Sequence, residues 1–305
     1  MKGKGLVLLA GSVNMDMVCR LPTLPVPGET VLCHDFTAIP GGKGANQATA
    51  LARLGARVTM LAAVGNDAYG SQLLEGLRVS GVDTSLIHVC ADTPTGMAYI
   101  EVDANGQNRI VVAPGANSRV DEALVRQAAV LAALDEADYL VMQLEIPLPT
   151  VVFLAREAKK RGVTVILNPA PMPDDLPASL LADVDILVPN ETELARLTGR
   201  AVTIDTTEEE ARGVLARGVG SALVTLGDQG ALWILPDETL RFDALPVIAV
   251  DTTAAGDTFI GGLVAALARG ENRQTAGEFA AKAAAISVSR KGAQSSIPTL
   301  EEVPQ

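Results

Sequence analysis

The chain has 305 residues, of which 48% are hydrophobic and 20% are charged, and its 36 acidic and 24 basic side chains give a formal charge of -12. This composition excludes a disordered chain, and the acidic charge excludes a general electrostatic attachment to nucleic acid or to an anionic membrane. The length allows one large domain or two ordinary ones, and any bound anion must be held locally, by backbone N–H groups and a few placed cations.

Buried strands and amphipathic helices alternate along most of the chain. Short apolar runs predict strands at 6–10, 58–64, 139–144, 163–167, 186–188 and 222–226. Helical periodicity predicts helices at 45–54, 71–79, 122–134, 151–161, 208–217 and 258–269. This alternation is typical of an α/β fold, a Rossmann-like, doubly wound, mainly parallel sheet with helices on both faces.

Two stretches interrupt the alternation and contain no convincing helix. The first, 18–39, holds three prolines, and the second, 95–113, predicts two strands around a turn at Asn105 and Gly106. We therefore expect a small β-sheet that stands off the main sheet and could act as a lid. A surface hairpin without a role is the alternative.

The predicted small β-sheet divides the chain into a core and a lid. The core is predicted to comprise residues 1–16, 40–94 and 115–305, and the lid residues 17–39 and 95–114.

The sequence carries no sign of export or membrane insertion. Lys2 and Lys4 precede an apolar run at 6–10, which is shorter than the roughly 7–15 residues of a signal-peptide core, and no run approaches the ~18 residues of a membrane helix. The chain has three cysteines, Cys19, Cys33 and Cys90. Their odd number and wide spacing favour free thiols, so we expect a cytoplasmic protein.

A glycine-rich segment, Gly-Gly-Lys-Gly-Ala-Asn-Gln at 41–47, opens the first predicted helix. Glycines let a backbone approach a ligand closely, and a helix start offers free N–H donors. Gly44 follows Lys43 where a Walker loop would need Ser or Thr, and no GxGxxG follows a predicted strand. A plain strand–helix turn is the alternative.

A second segment, Asp-Thr-Thr-Ala-Ala-Gly-Asp-Thr-Phe at 251–259, leads into another predicted helix. The N–H groups around Ala254, Ala255 and Gly256 would point out of the helix start and form an anion hole. Asp257 would lie in the first turn, where a carboxylate beside an anion is useful if it takes a proton from an attacking hydroxyl. A simple helix cap is the alternative.

Further polar residues follow predicted strands at the carboxyl edge of the sheet, where open α/β sheets bind ligands. Asn14, Asp16 and Glu145 could bind the hydroxyls of a polyol, or could merely cap loops. Asn190 and Glu193 lie on one face of a helix start and could orient water bound to Mg²⁺, or could form a solvated helix end. A tight turn occupies 225–230.

These segments, in this order and spacing, resemble the ribokinase-type (PfkB) sugar kinase family over nearly the whole chain. The two glycine-containing segments match its two signatures. Further matches are Gly11–Asp16, Pro27–Thr30, Asn168–Pro171, Asn190–Glu193, Thr225–Gly230 and Arg290–Gln294.

The resemblance implies ATP-dependent phosphorylation of D-ribose at the 5-hydroxyl, giving ribose 5-phosphate. It implies Asp257 as the base, with an anion hole formed by Ala254, Ala255 and Gly256. It implies a sugar site of Asn14, Met15, Asp16, Gly42, Lys43, Gly44, Ala45, Asn46, Glu145 and Asp257. It implies an ATP site of Asn190, Glu193, Thr225, Leu226, Gly227, Asp228, Gln229, Gly230 and Gly256, with Glu193 helping to place Mg²⁺.

The resemblance also implies activation by K⁺ and a homodimer joined through the lid. The K⁺ positions are Asp251, Thr253, Ser287, Arg290, Gly292 and Ser296, most of them binding through main-chain oxygens.

Three other functions stay open on the sequence. A related sugar or nucleoside kinase, for deoxyribose, fructose or adenosine, would share the same motifs, and one hydroxyl contact separates such substrates. A non-catalytic sensor is disfavoured by the intact Asp257. An NAD-dependent dehydrogenase is disfavoured by the missing glycine fingerprint.

Overall fold

A computed structural model describes residues 5–105 and 107–304. Lys2, Lys4 and the predicted turn residue Gly106 lie outside this range. The strands are β1 (Leu6–Ala10), β2 (Asn14–Arg20), β3 (Asp35–Gly41), β4 (Arg57–Gly65), β5 (Asp83–Cys90), β6 (Gly96–Val102), β7 (Asn108–Ala113), β8 (Tyr139–Met142), β9 (Thr164–Leu167), β10 (Ile186–Leu187), β11 (Ala222–Thr225), β12 (Ala231–Ile234) and β13 (Thr239–Phe242).

The helices alternate with these strands over most of the chain. They are α1 (Lys43–Arg53), α2 (Ala68–Val79), α3 (Glu122–Val125), α4 (Ala128–Glu136), α5 (Leu148–Lys160), α6 (Ala178–Asp183), α7 (Glu191–Thr198), α8 (Thr207–Leu215), α9 (Ala255–Ala268) and α10 (Arg273–Val288).

The larger sheet has nine strands within the described residues, in the order β13-β12-β11-β10-β9-β8-β1-β4-β5. All its pairs are parallel except β11 with β12 and β12 with β13, so the predicted mainly parallel α/β fold is confirmed. The chain moves from β1 to β4 on one side and later to β8 on the other. The strand order therefore reverses at β1, and open α/β sheets bind ligands at the carboxyl ends of the strands near such a reversal.

Side chains that alternate along each strand build two apolar cores, one on each face of the sheet. In β1, Leu8 and Ala10 pack against α3 to α8, whereas Val7 and Leu9 pack against α1, α2, α9 and α10. All four are 2% exposed or less. Burial of one leucine side chain contributes about 1.5–3 kcal/mol, which explains why these short apolar runs form the centre of the sheet.

Several elements differ from the sequence-based expectation. The helix predicted at 122–134 is two helices, because Gln127 between them has an extended backbone. The strands β5, β12 and β13 and the helices α6 and α10 were not predicted. In α10, alanines pack among polar residues without a strong apolar stripe, so the helical period is weak in the sequence.

The smaller sheet has the order β3-β2-β6-β7 within the described residues. Its strand β2 is parallel to β6, and the two outer pairs are antiparallel. Asn14 and Asp16 follow β1, as predicted, and both lie in β2, so the alternative that they cap a loop does not fit the structure. The first segment of the smaller sheet thus begins three residues before the predicted 17–39 segment and ends two residues after it. The division into core and lid stays a prediction.

Within the described residues, no helix is both long and apolar enough to cross a lipid bilayer.

Candidate active site

A cleft of about 230 Å³ lies where the carboxyl ends of β9, β10 and β11 meet the amino ends of α1 and α9. The residues that line it are Lys43, Asn168, Val188, Asn190, Glu193, Thr225, Thr252, Ala254, Ala255, Gly256, Asp257 and Ile260. A larger cavity of about 430 Å³ lies at the opposite edge of the sheet, beside the first residues of β1 and β4. Of the predicted sugar residues only Lys43 and Asp257 line the smaller cleft, together with the predicted anion hole and part of the predicted ATP site. The base and the anion hole are therefore in the smaller cleft, and we assign the chemistry there.

Asp257 lies in the first turn of α9, and its carboxylate is held from α1. The Nδ2 of Asn46 donates to its Oδ2 at 3.0 Å, and the Nε2 of Gln47 donates to its Oδ1 at 2.9 Å. The cap of α9 is Ala254, with no side-chain cap hydrogen bond. The geometry therefore disfavours the alternative that Asp257 serves only as a helix cap. Its buried side chain contacts the amides of Asn46 and Gln47 instead.

The backbone at the start of α9 has the form of an anion-binding turn. Ala254 has a left-handed conformation (φ 60°), which a residue with a Cβ adopts at a cost of about 1–2 kcal/mol. The N–H of Ala255 donates to the main-chain oxygen of Thr252 at 3.2 Å. Within the described residues, the N–H groups of Gly256 and Asp257 have no recorded partner, so they are the donors left for an anion.

The predicted sugar residues converge from three elements. Asn14 and Asp16 lie on β2, Asn46 on α1 and Glu145 after β8. Within the described chain, two buried acceptor atoms there, Asp16 Oδ1 and Asn46 Oδ1, have no hydrogen-bond partner. Buried acceptors of this kind suit ligand hydroxyl donors.

Burial, together with the charges of Glu145 and Asp257, raises the pKa of Asp16 from 3.8 to about 7. The ammonium of Lys43 opposes this rise. The carboxyl of Asp16 is thus poised to accept hydrogen bonds or to become neutral near physiological pH.

Glu145 holds the first residue of α1 by a hydrogen bond to the main chain. It accepts hydrogen bonds from the Oγ of Ser12 at 2.5 Å and from the main-chain N of Lys43 at 3.1 Å. Gly42, just before this helix, has φ 89°, and a Cβ there would lie 2.8 Å from the N of Asn14. Only glycine fits this turn, which explains the glycine-rich segment.

Lys43 is the cation of the cleft. Burial alone would lower the pKa of Lys43, but four carboxylates outweigh it and raise this pKa above its ordinary value. They are those of Asp257, Glu145, Glu193 and Asp16. The ammonium therefore stays charged where an anion would bind.

Other members of the predicted sugar set have no side chain in the cleft. Met15 is fully buried in the apolar core, and Gly44 and Ala45 are buried beneath the turn. The N–H of Ala45 donates to the main-chain oxygen of Ser12. Any contact from these residues to a ligand would come through the backbone, so their assignment stays a prediction.

Four of the predicted ATP residues line the cleft, namely Asn190, Glu193, Thr225 and Gly256, and residues 226–230 do not. Asn190 and Glu193 form a reciprocal capping box at the start of α7, and both line the cleft. Burial raises the pKa of Glu193, although the backbone hydrogen bond from Asn190 and the charge of Lys43 oppose it.

Beside them, Thr225 bridges to Asn190 and lines the cleft, and Leu226 is buried. The exposed residues Gly227, Asp228 and Gln229 form a 3₁₀ turn that ends at Gly230.

The predicted K⁺ residues come together on two neighbouring loops and the last turn of α10, which carries Ser287. The carboxylate of Asp251 accepts hydrogen bonds from Thr253 at 2.9 and 2.6 Å and from the N–H of Gly292 at 2.9 Å. Ser287 and Ser296 share a hydrogen bond of 2.9 Å. In the described part of the chain, no hydrogen bond reaches the main-chain oxygens of Asp251, Thr253, Arg290, Gly292 and Ser296.

Several residues of the site were missed in the sequence. Gln47 ends the glycine-rich segment, Asn168 begins a matched motif and Thr252 lies in the 251–259 segment, so all three had a local signal. Gln143 and Asn117 had none. Asn117 donates to Asn14 Oδ1 at 2.7 Å across 103 residues of sequence.

A cleft at the carboxyl ends of parallel strands, a helix start that offers N–H donors and a buried carboxylate together define a kinase of small hydroxyl compounds. The comparison with known proteins defines the family more specifically than the site does. Residues 4–300 match the pfkB family of carbohydrate kinases, and the chain belongs to that family.

Relatives and solved structures agree over nearly the full length. The ribokinase of Haemophilus influenzae is 43% identical over 293 residues, which are 96% of this chain and 95% of the relative. The deoxyribokinase of Salmonella typhi is 37% identical over 297 residues, which are 97% of this chain and 96% of the relative. The structure of Arabidopsis thaliana ribokinase complexed with ribose and ATP superimposes with a TM-score of 0.92 at 34% identity, covering 99% of this chain and 98% of that one.

Proposed function

We propose that the protein transfers the γ-phosphoryl group of ATP to the 5-hydroxyl of D-ribose. The observation that carries this proposal is the buried carboxylate of Asp257, held by Asn46 and Gln47 at the start of α9. The named ribokinase relatives support ribose as the acceptor.

The residues would divide the reaction among them. Asp257 would take the proton of the attacking hydroxyl as the O–P bond forms and the bond to the ADP oxygen breaks. The free N–H groups of Gly256 and Asp257 and the ammonium of Lys43 would stabilise charge on the transferred group. The buried acceptors of Asp16 and Asn46 would hold the other hydroxyls, which fixes the attacking one.

Deoxyribose is the main alternative acceptor, because a deoxyribokinase is among the relatives. A coupled ADP-release assay over pentoses, 2-deoxyribose, hexoses and nucleosides decides between them. We expect the highest kcat/KM with ribose. A higher value with 2-deoxyribose, fructose or adenosine would replace ribose, and no ADP release with any acceptor would overturn the kinase assignment.

Mg²⁺ and K⁺ are part of the proposal. Within the described residues, no group of three or more His, Cys, Asp or Glu side chains could hold a metal alone. This fits Mg²⁺, which keeps several waters and is bound largely by phosphates, with Glu193 nearby to accept from such water. Bound Mg²⁺ would neutralise phosphate charge.

A K⁺ site is supported by the free main-chain oxygens on the loops that Asp251 ties together. Oxygen ligands of this kind suit a large hard cation. After bound ions are removed, we expect higher activity in K⁺ than in Na⁺ buffer. Equal activity in both would exclude K⁺ activation, and activity without Mg²⁺ would exclude the Mg²⁺ role.

A homodimer formed through the smaller sheet is also proposed. Its support is the exposed apolar side chains of that sheet. The strand register puts Phe36, Tyr99 and Val111 on one face, and Ile110 and Val112 on the other. Exposed apolar patches of this kind are typical of interfaces.

A cytoplasmic location completes the proposal. It is supported by the free thiols of Cys19, Cys33 and Cys90. Recovery of the protein from an exported fraction of its own cells would contradict it.

A further inference from the structure

A chain of buried amides lies behind Asp257. Gln47 and Gln143 are fully buried, and Asn168 is nearly so. Gln47 lies on α1, Gln143 directly follows β8, and Asn168 directly follows β9. The chain therefore connects the helix that holds the carboxylate to the centre of the main sheet.

The hydrogen bonds give Gln47 one consistent orientation. Its Nε2 donates to Asp257 Oδ1 at 2.9 Å and to Asn168 Oδ1 at 3.3 Å. Its Oε1 accepts from the Nε2 of Gln143 at 2.6 Å.

The far end of the chain fixes this orientation independently. The Nδ2 of Asn168 donates to the main-chain oxygen of Val188 at 3.0 Å. A main-chain oxygen can only accept, so the Oδ1 of Asn168 must face Gln47, and Gln47 must present its NH₂ group. A reversed Gln47 would place its carbonyl oxygen against the carboxylate of Asp257.

Amides are suited to this position because they carry no charge. A hydrogen bond from an N–H to a buried carboxylate is stronger than one between neutral groups, so it orients the carboxylate firmly. A cation there would form an ion pair with Asp257 and oppose proton transfer to it. The amides therefore orient the carboxylate and leave it able to accept a proton.

We propose that Gln47 is a positioning residue for the base, and that Gln143 acts through Gln47 by fixing which end of its amide faces Asp257. The inference rests on the proposed function, in which Asp257 takes the hydroxyl proton. It adds two residues that contact neither the transferred group nor the cation loops.

The first test is Gln47→Met, which keeps the length of the side chain and removes its donor. With ribose and ATP, we expect kcat to fall about 10- to 100-fold, the value of one hydrogen bond to a charged group. The KM values should stay within about twofold, because binding groups are unchanged. Thermal unfolding and an ATP titration establish that the variant is folded.

The second test is Gln143→Met, alone and combined with Gln47→Met. Alone it should lower kcat several-fold at constant KM. In the Gln47→Met background it should have no further effect on kcat, because Gln143 acts only through Gln47. If Gln143 had a purely structural role, Gln143→Met would lower the unfolding temperature in both backgrounds. It would then also lower kcat in the Gln47→Met background.

Thr49→Val is the matched control. Thr49 lies on α1, is fully buried, and its Oγ1 has no partner in the described residues. It should keep full kcat.

Wild-type protein that fails to release ADP with ribose would refute the proposed function. Two results would refute only this inference, provided that the wild type is active. One is an unchanged kcat in Gln47→Met. The other is a double variant whose loss of kcat is the product of the losses in the two single variants. If Gln47→Met does not fold, an unchanged kcat in Gln143→Met refutes it and a lower kcat at constant KM supports it.

Discussion

The buried carboxyl of Asp16 destabilises the folded protein when it is ionised, although it lies in the functional site. It is buried beside Glu145 and Asp257, and one of its oxygens has no hydrogen-bond partner among the described residues. Such a group is costly to ionise in the folded protein, because burial and like charges both disfavour the charged form. Its presence is explained by ligand binding, since sugar hydroxyls would supply the missing donors.

Asp16→Asn should therefore stabilise the protein at high pH. The pKa of Asp16 is raised from 3.8 to about 7 on folding, so its stabilising contribution is complete below pH 3.8 and is lost as pH rises to about 7. At pH 8 the variant should gain up to about 4 kcal/mol in the free energy of unfolding, and the gain should shrink toward pH 5. Urea unfolding at both pH values measures this.

The same variant should bind ribose more weakly, because it loses a charged acceptor for hydroxyl groups. Asp237→Asn, at an exposed turn between β12 and β13, is the control and should change neither property. Asp16→Asn that is less stable than wild type at pH 8 would contradict the account.

At the level of single residues, the sequence was informative where a motif carries its own chemistry. Lys43, Asn46 and Asp257 could be predicted because glycine-rich turns with these residues match a known pattern. Gln47 could not be assigned, because its partner Asp257 lies 210 residues away and only the fold brings the two together. Met15 shows the reverse case: the pattern includes it, yet its side chain is in the core.

At the level of elements, the site depends on the packing of α1 against α9. The first helix carries Asn46 and Gln47, and the second carries Asp257. They approach closely at Gly261, where an added Cβ would lie 2.3 Å from the Cβ of Ala50. Contact this close leaves no room for a side chain and fixes the distance between the two helices.

Gly261→Ala should push α9 away from α1. We expect a loss of about 1–3 kcal/mol in the free energy of unfolding, as for other overpacked sites, together with a lower kcat because the hydrogen bonds to Asp257 lengthen. Gly76→Ala on α2, where an added Cβ meets nothing within 4 Å, is the matched control.

The control should gain about 0.5–1 kcal/mol and keep its kcat. Denaturation and steady-state kinetics of both variants measure these effects. A Gly261→Ala protein with wild-type stability and kcat would show that the helix spacing does not matter.

Among elements, continuous apolar runs such as Leu6–Ala10 could be predicted, because a strand buried on both faces needs them. The strand β5 was missed because it alternates irregularly and is half exposed. Strand β2 was missed at its start because Asn14 and Asp16 are residue types that favour turns, and the second sheet overrides that preference.

At the level of the whole molecule, an acidic chain can bind an anionic nucleotide without a basic surface. The positive field is confined to one cleft, where Lys43 keeps its charge and the start of α9 offers N–H donors. The exposed apolar side chains of the smaller sheet are the other feature of this scale, and three of them lie on the edge strand β7.

Val111→Glu should dissociate the proposed dimer. Val111 lies on β7 and is 66% exposed, so a charge there would not disturb the fold of one subunit but would be buried in an interface. Light scattering after gel filtration should give a dimer mass for the wild type and a monomer mass for the variant. Val79→Glu, exposed at the end of α2, should stay dimeric. A monomeric wild type, or a dimeric Val111→Glu, would refute the interface.

The central claim is that the cleft transfers a phosphoryl group with Asp257 as the base. The most direct test is ribose-dependent ADP release by Asp257→Asn, with ATP affinity measured by titration. We predict that kcat falls by about 10²–10⁴ while ATP still binds and the protein unfolds at the wild-type temperature or above it. A folded Asp257→Asn enzyme with near wild-type kcat would contradict the account.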